Sequence, residues 1–316
     1  MQGTTTDSGL LASSTFFSDS QIPAYSSFTL PLTDPTLTTQ FSHQIYDTVT
    51  LVPDLKPTMF DTIPQPDNPM PMPRRLDIAT EEHFVHSVPG TYPRLCPLPD
   101  GSILAGFTNF EPDARRLLIA CSTDGGRSFA PHGEVTRAPP LQDCDNISLL
   151  HLPDNDNPTG TILAAFRNHD VSPENNTATY FRITICRSLD GGQTWSFLSQ
   201  ACEKHAPFGL WEPFLRLAKG GEEIQLYFSQ EFDHDDQDTM LVRSFDGGAT
   251  WSTPVFVTGE GERLRDGMVG IAETGDGEEE MLVMVMETTR RGFGVFSIEA
   301  VVSRMGRELG REACGV

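Results

Sequence analysis

From Glu81 onward the chain alternates short apolar runs with turn-forming clusters. The runs are ILAGFT at 103–108, LLIACS at 117–122, TILAAF at 161–166, YFRITICRS at 180–188, IQLYFS at 224–229, TMLVRS at 239–244 and MLVMVMET at 281–288. Each is short, of β type, and followed by Gly, Asp, Asn or Pro, and no window sustains a helical apolar period over three turns. The pattern predicts an all-β chain over 79–316. Residues 1–78 have a different texture: rich in Ser, Thr, Pro and Asp, nearly free of Lys and Arg until Arg74, and ending in QPDNPMPMPRR. Little apolar surface can be buried there, which predicts an extended or disordered leader. Two alternating stretches inside it, SSFTLPL and YDTVTLV, are candidate strands with no evident partner.

A repeat organises the β region. Ser122-Thr-Asp124-Gly-Gly126-Arg-Ser128-Phe129 returns as Ser188-Leu-Asp190-Gly-Gly192-Gln-Thr194-Trp195, and again as Ser244-Phe-Asp246-Gly-Gly248-Ala-Thr250-Trp251. Each copy follows a predicted strand. The Asp can accept bonds from turn N–H groups, the glycines supply positive φ, the hydroxyls tie the loop, and the aromatic seats it on the sheet. One such turn is common; three with an aromatic at one offset define a repeat. They resemble the Asp-box, or BNR repeat, of the sialidase-like six-bladed β-propellers, where the box is structural. By that resemblance Asp124, Asp190 and Asp246 belong to the fold. One four-stranded blade per box divides the chain into about four blades, near 79–137, 138–203, 204–260 and 261–316. The expected fourth box reads Ser303-Arg-Met-Gly306 and lacks its Asp and aromatic. The expectation is therefore a six-bladed design with about four blades present, truncated at the C-terminus.

Charge narrows the functional classes. With 22 Lys+Arg against 44 Asp+Glu, the net charge is −22. Such a chain repels phosphate backbones and anionic lipid, so neither nucleic acid nor membrane is an expected partner, and no apolar run suits a membrane span. The six cysteines show neither a CxxC pair nor metal-ligand spacing with His, which leaves disulfides or buried thiols open and predicts no metal site.

Three segments are polar where strand packing does not require it. In Gly209-Leu-Trp211-Glu212-Pro213-Phe214-Leu-Arg216 a Glu lies in apolar company, which tends to raise a carboxyl pKa and suits a general acid. In Met281-Leu-Val-Met-Val-Met286-Glu287-Thr-Thr-Arg290 a carboxylate ends an apolar strand, where it must be exposed or functional. The third group is Asp143-Cys-Asp145-Asn146, Phe166-Arg167-Asn168-His169 and Arg265-Asp266-Gly267-Met268, polar tips placed about one per blade.

Together with YPRL at 92–95, YFRITIC at 180–186 and DQD at 236–238, these blocks resemble glycoside hydrolase family 93, the exo-α-1,5-L-arabinanases, in that family's order over about 85–295. The resemblance implies a retaining exo-enzyme that releases arabinobiose from linear arabinan without metal or organic cofactor. It puts the catalytic carboxylates at Glu212, assigned as acid/base, and Glu287, assigned as nucleophile. Candidates for binding sugar hydroxyls are Arg94, Asp145, Asn146, Arg167, His169, Tyr227, Arg265 and Asp266. It implies a plant cell-wall polysaccharide as partner and a secreted protein, with a monomer as the expected state. The N-terminal sequence shows no signal peptide. Asn175-Asn-Thr177 matches a glycosylation acceptor, and Asn146-Ile-Ser148 matches the same pattern. Two other readings compete. An exo-sialidase would use Arg94, Arg167 and Arg265 for a substrate carboxylate; a truncated propeller would be inactive or bind glycan without turnover.

Overall fold

The computed structural model describes residues 82–304 except 87, 88, 155, 156, 158, 275–280 and 293; the leader 1–78 and its two candidate strands lie outside the described residues. All regular structure among the described residues is β. The first sheet is β1 (Gly90–Pro97), β2 (Ile103–Glu111), β3 (Ala114–Ser122) and β4 (Ala130–Ala138). The second is β5 (Gln142–Leu152), β6 (Thr161–Val171), β7 (Ala178–Ser188) and β8 (Ser196–His205). The third is β9 (Leu210–Leu217), β10 (Ile224–Asp233), β11 (Asp236–Ser244) and β12 (Val255–Thr258), and the fourth is β13 (Asp266–Thr274), β14 (Met281–Thr288) and β15 (Ser297–Arg304). Each is an antiparallel meander in chain order. The first strands face one another from sheet to sheet, β1 against β5, β5 against β9 and β9 against β13. The sheets are therefore four blades of a propeller, with β1, β5, β9 and β13 innermost.

The apolar runs are continuous because both faces of a blade are buried. On β6, Ile162, Ala164 and Phe166 join Leu104, Leu117 and Ile119 of the first blade. The alternate residues Leu163 and Ala165 join Leu210, Leu226 and Phe228 of the third. A third core joins Tyr227 and Leu241 to Val269, Leu282, Met284 and Met286. Five cysteines are free. Cys96, Cys144 and Cys186 lie in the first core. Burial pushes Cys144 up to about 12 and Cys186 to about 11, so these are inert protonated thiols. Of the two options left open by the sequence, disulfides are thus excluded among the described cysteines; Cys314 lies outside them.

The three repeat loops join the third and fourth strands of blades one to three, on the side away from the inner strands. Asp246 accepts from the Thr250 N–H at 2.9 Å, the Thr250 hydroxyl at 2.6 Å and the Ser244 hydroxyl at 2.8 Å, and these bonds hold its carboxyl down to about 2. Trp251 closes the loop by donating its indole N–H to the Gly248 carbonyl at 3.1 Å. The second and third loops also latch to the preceding blade. His132 on β4 meets the Gly191 carbonyl at 2.9 Å, and Ser199 on β8 donates to the Gly248 carbonyl at 2.6 Å. Gly133 has to be glycine, since a Cβ there would fall 2.2 Å from the Gly192 carbonyl oxygen. All the carboxylates of these loops are thus used up by the fold.

Candidate active site

Every inner strand is interrupted by a bulge at the same place. Pairing slips between Thr91 and Arg94 in β1, Asp145 and Ser148 in β5, Trp211 and Phe214 in β9, and Gly267 and Gly270 in β13. The first bulged residue is left-handed each time: Tyr92 (φ 51°), Asn146 (φ 54°), Glu212 (φ 55°) and Met268 (φ 49°). Holding a non-glycine residue there costs roughly 1–3 kcal/mol, and such strain gathers at functional sites. In two blades the next residue is Pro93 or Pro213, whose missing N–H is harmless where the ladder is already broken. Across from the residue before each bulge, the second strand carries Thr108, Arg167, Ser229 and Glu287 in turn. One structural unit therefore presents Thr91, Tyr92 and Thr108; then Asp145, Asn146 and Arg167; then Trp211, Glu212 and Ser229; and finally Gly267, Met268 and Glu287.

Glu212 and Glu287 thus come from the same unit in adjacent blades. Both are half-buried. Glu212 Oε2 accepts the Met268 N–H at 2.9 Å and the Ser229 hydroxyl at 3.1 Å, and Oε1 takes no bond among the described residues. Burial raises the Glu212 carboxyl above its ordinary value; the Met268 and Ser229 bonds and the Arg167 charge pull it down, and the Glu287 charge pushes it up. A desolvated carboxyl with a raised pKa beside a second carboxylate is the kind of arrangement that can separate acid from nucleophile. The strained backbone of Met268 is what aims its N–H at this carboxylate.

Gly267 makes the approach of the two blades possible. A Cβ there would lie 2.6 Å from both Ser229 Oγ and Gln237 Nε2 and 3.0 Å from Glu212 Oε2. Behind it, Gln237 donates to the Asp266 carbonyl at 3.1 Å and accepts from Arg265 at 2.8 Å. Arg265 also pairs with Glu231 at 2.8 Å and donates to the His234 carbonyl at 3.0 Å. Thr289 accepts the Arg265 N–H at 2.9 Å, which ties the segment after Glu287 to the start of β13. Ser229 and Glu231 did not stand out in the sequence, and the DQD and RDGM blocks that hold Gln237 and Met268 stood out without showing what these two residues contact, because those roles depend on register and on blade-to-blade contact.

Because the Ser229 hydroxyl stabilises the ionised form of Glu212, its removal has a definite sign. Ser229→Ala should raise the Glu212 pKa further and move the alkaline limb of kcat/KM to higher pH, as a pH-rate profile would show. A limb that stays in place or moves to lower pH would contradict this role.

The other candidates separate into groups. Arg167 lies at the site, with its guanidinium 5.0 Å from the Trp211 ring and 3.2 Å from Asp145. Asn146 occupies in blade two the bulge position that Glu212 fills in blade three. Asp145 is buried and clamped by Thr108, by the Asn146 N–H at 2.8 Å and by Arg167, so it fixes the bulge. His169 is fully buried, edge-on to Phe181 and Trp211 and bonded to the Leu210 carbonyl at 2.9 Å. Burial pushes it down to about 3, so it is a neutral core histidine. Tyr227 is also a core residue, and its hydroxyl donates to Gln225 at 3.0 Å. Asp266 occupies the strand position that Cys144 and Leu210 fill in the preceding blades, and it is equally buried. It neighbours Asp238, whose carboxyl burial and the charges of Asp236 and Asp266 push up to about 7. The structure does not bring His169, Tyr227 or Asp266 to the open site. Arg94 donates to the adjacent Pro93 carbonyl at 3.2 Å, and Arg265 is spent on Glu231 and Gln237.

Among the described residues no group of three or more His, Cys, Asp or Glu is placed to hold a metal ion, and no helix is long and apolar enough to cross a membrane. A cavity of about 550 Å³ on blade one, lined by His86, Asn109, Glu111, Arg116, His132 and Glu134, lies elsewhere. Its charges neutralise one another, Arg116 pairing with both Glu111 and Glu134.

No family model matches the chain, and no curated protein matches it. Solved structures do. The glycoside hydrolase family 93 α-L-arabinofuranosidase of Fusarium graminearum in complex with arabinobiose superposes with a TM-score of 0.55 at 23% identity, covering 70% of this chain and 64% of that one. The α-L-arabinanase of Penicillium chrysogenum complexed with arabinobiose gives 0.52 at 23% identity, covering 68% and 62%. The fold of this chain is the β-propeller of those enzymes. The chain spans less than two thirds of their length.

Proposed function

We propose that the protein is a retaining, exo-acting glycoside hydrolase of the family 93 type that releases arabinobiose from linear α-1,5-L-arabinan. The observation that carries this reading is the placement of Glu212. It is a strained, desolvated carboxyl with a raised pKa, pinned through one oxygen and set beside Glu287, on a propeller like those that bind arabinobiose. In the first step Glu287 attacks the anomeric carbon while Glu212 gives its proton to the departing glycosidic oxygen. In the second, Glu212 takes a proton from water, which displaces Glu287 and frees the sugar. The substrate is neutral, in keeping with a net charge of −22 and a site built on two carboxylates.

The sialidase reading meets a specific obstacle. Arg167 is committed to Asp143 and Asp145, Arg265 to Glu231, and Arg94 to its neighbour's carbonyl. Two of the three arginines that reading needs, Arg167 and Arg265, are thus already paired with carboxylates of the protein. Secretion is part of the proposal. Asn175 is exposed in the β6–β7 turn and open to glycosylation, whereas Asn146 is buried and closed to it.

Chromatography of digests of linear arabinan and of a sialyl-lactoside tests the reading. Arabinobiose from arabinan and no free sialic acid is the expected result. Sialic acid release, or arabinan bound without any product, would overturn it.

A further inference from the structure

Within the DQD block at 236–238, Gln237 stitches blade three to blade four. Its N–H donates to the Leu264 carbonyl at 2.7 Å, its side-chain amide to the Asp266 carbonyl at 3.1 Å, and it forms a parallel bridge with Arg265. The residues that follow this bridge are Asp238 on β11 and Asp266 on β13, so two carboxyls enter the blade junction at the same level. Asp238 is 3% exposed and Asp266 is fully buried. Asp238 Oδ1 and both carboxyl oxygens of Asp266 have no hydrogen-bond partner among the described residues, and neither has the buried hydroxyl of Thr239, next in the chain. Asp238 is also wedged in place, since a Cβ on Gly259 would fall 2.0 Å from its Oδ1.

The surroundings are acidic. Asp238 feels the charges of Asp236 on its own strand, of Asp266 on β13, and of Glu260 and Glu262 in the segment after β12, while across the ladder on β10 it meets neutral Gln230. The neighbouring cations are engaged elsewhere: Arg263 with Asp233 and Asp235, Arg265 with Glu231, and Arg290 with Glu262 and Glu299. Two buried carboxylates with neither a cation nor a donor repel one another strongly in a junction that water does not screen. Among the described residues no set of three or more His, Cys, Asp or Glu is placed to recruit a metal ion instead. A proton can relieve the repulsion. Burial and the surrounding carboxylates push the Asp238 carboxyl up to about 7, which makes it the place where that proton is kept.

The junction leads directly to the site. Asp266 is followed by Gly267 and then by Met268, whose N–H holds Glu212 Oε2 at 2.9 Å. We infer that Asp238 is a positioning residue that acts through its protonation state. Protonated, it lets β11 and β13 close and keeps the Met268 N–H on Glu212; ionised, it drives β13 away and loosens that contact. The consequence for catalysis rests on the glycosidase reading above, whereas the closure of the junction does not. The sign follows from a carboxyl raised in the folded chain: its stabilisation is complete below the ordinary value of 3.8 and is lost as the pH rises through about 7.

The test uses the full chain carrying Glu212→Gln, which removes the titration of Glu212 itself, with and without Asp238→Asn, whose amide keeps the shape of the carboxyl and cannot ionise. Between about pH 5 and pH 8 the melting temperature of Glu212→Gln should fall by about 5 °C more than that of the double variant. Over the same range, hydrogen exchange at the Met268 amide, corrected for its intrinsic pH dependence, should rise about 10-fold in Glu212→Gln and stay level in the double variant. A purely structural residue would shift both quantities equally at every pH. Asp266→Asn removes the neighbouring charge and should weaken both trends, which keeps the inference open to refutation if Asp238→Asn does not fold. Melting temperatures that run parallel with pH in Glu212→Gln and in either double variant, or Met268 exchange that ignores pH in Glu212→Gln, would overturn the inference and leave the glycosidase reading standing. A chain that shows both trends and yet leaves arabinan uncleaved without Glu212→Gln would keep the switch and lose the glycosidase reading.

Discussion

Glu212→Gln should abolish most of the hydrolysis of linear arabinan, with kcat/KM falling by about 10²- to 10⁴-fold, the usual contribution of a positioned general acid. The glutamine amide can still accept from Ser229 and Met268 through its oxygen, so the bulge should hold and the melting temperature should stay near that of the parent. The loss should depend on the leaving group. An aryl arabinoside whose phenolate departs without a proton needs no acid in the first step, and its glycosylation should be much less affected. Steady-state and pre-steady-state rates on both substrates separate these cases. Equal losses on both would mean that Glu212 does something other than donate a proton. No loss on arabinan would remove it from the mechanism.

Gly267→Ala should be nearly as damaging although it adds one methyl group. The new Cβ would sit 2.6 Å from the Ser229 hydroxyl oxygen and the Gln237 amide nitrogen, and 3.0 Å from the Glu212 carboxylate. None of these can retreat cheaply. Ser229 is buried on β10, and Gln237 is held by Arg265 and the Asp266 carbonyl. The blades must part locally, which costs about 1–3 kcal/mol as overpacking and shifts Glu212 relative to Glu287. A displacement on the order of 1 Å in a catalytic group is worth about 10²-fold in rate. The expected result is kcat/KM lowered by about 100-fold with only a modest fall in melting temperature. Kinetics and thermal melting side by side would check it, and wild-type kinetics would show that the two blades do not meet as described.

The parts of the fold legible in the sequence are those built from local contacts. In the repeat loops, Ser, Asp, the second glycine and the Thr or Ser bond to one another within eight consecutive residues, and Trp195 and Trp251 close two of the three, so the chemistry and the spacing coincide. The bulge unit is as regular in space but nearly invisible as a string. Tyr-Pro-Arg-Leu, Asn-Ile-Ser-Leu, Glu-Pro-Phe-Leu and Met-Val-Gly-Ile share little beyond a final aliphatic residue. What they have in common is a slip in register against the second strand, which the first strand alone does not encode.

The candidate site divides along the same line. Glu212 stood out because Trp211, Pro213 and Phe214 crowd it in the chain itself, and Glu287 because it ends an apolar strand. The family resemblance puts His169 and Tyr227 among the residues expected to face sugar. They do not, because both faces of a propeller blade are buried and the polar atoms find partners within the protein, the Leu210 carbonyl and Gln225. Asp145 was read as a binding residue, yet two of its donors, Thr91 and Thr108, come from the neighbouring blade. Ser229 escapes the sequence for the converse reason: it sits in an unremarkable strand segment and, like Gln237 within the DQD block, gains its role only where blade three meets blade four.

The most direct test of the central claim, that Glu212 and Glu287 act as a retaining pair, is the anomeric configuration of the first product. Linear α-1,5-arabinan would be digested at high enzyme concentration and followed by proton NMR from the first minute, before mutarotation mixes the anomers. The two-step displacement through Glu287 requires that α-arabinobiose appear first and the β anomer only later. A β anomer that appears first would mean direct attack by water and would contradict the assignment of Glu287 as nucleophile.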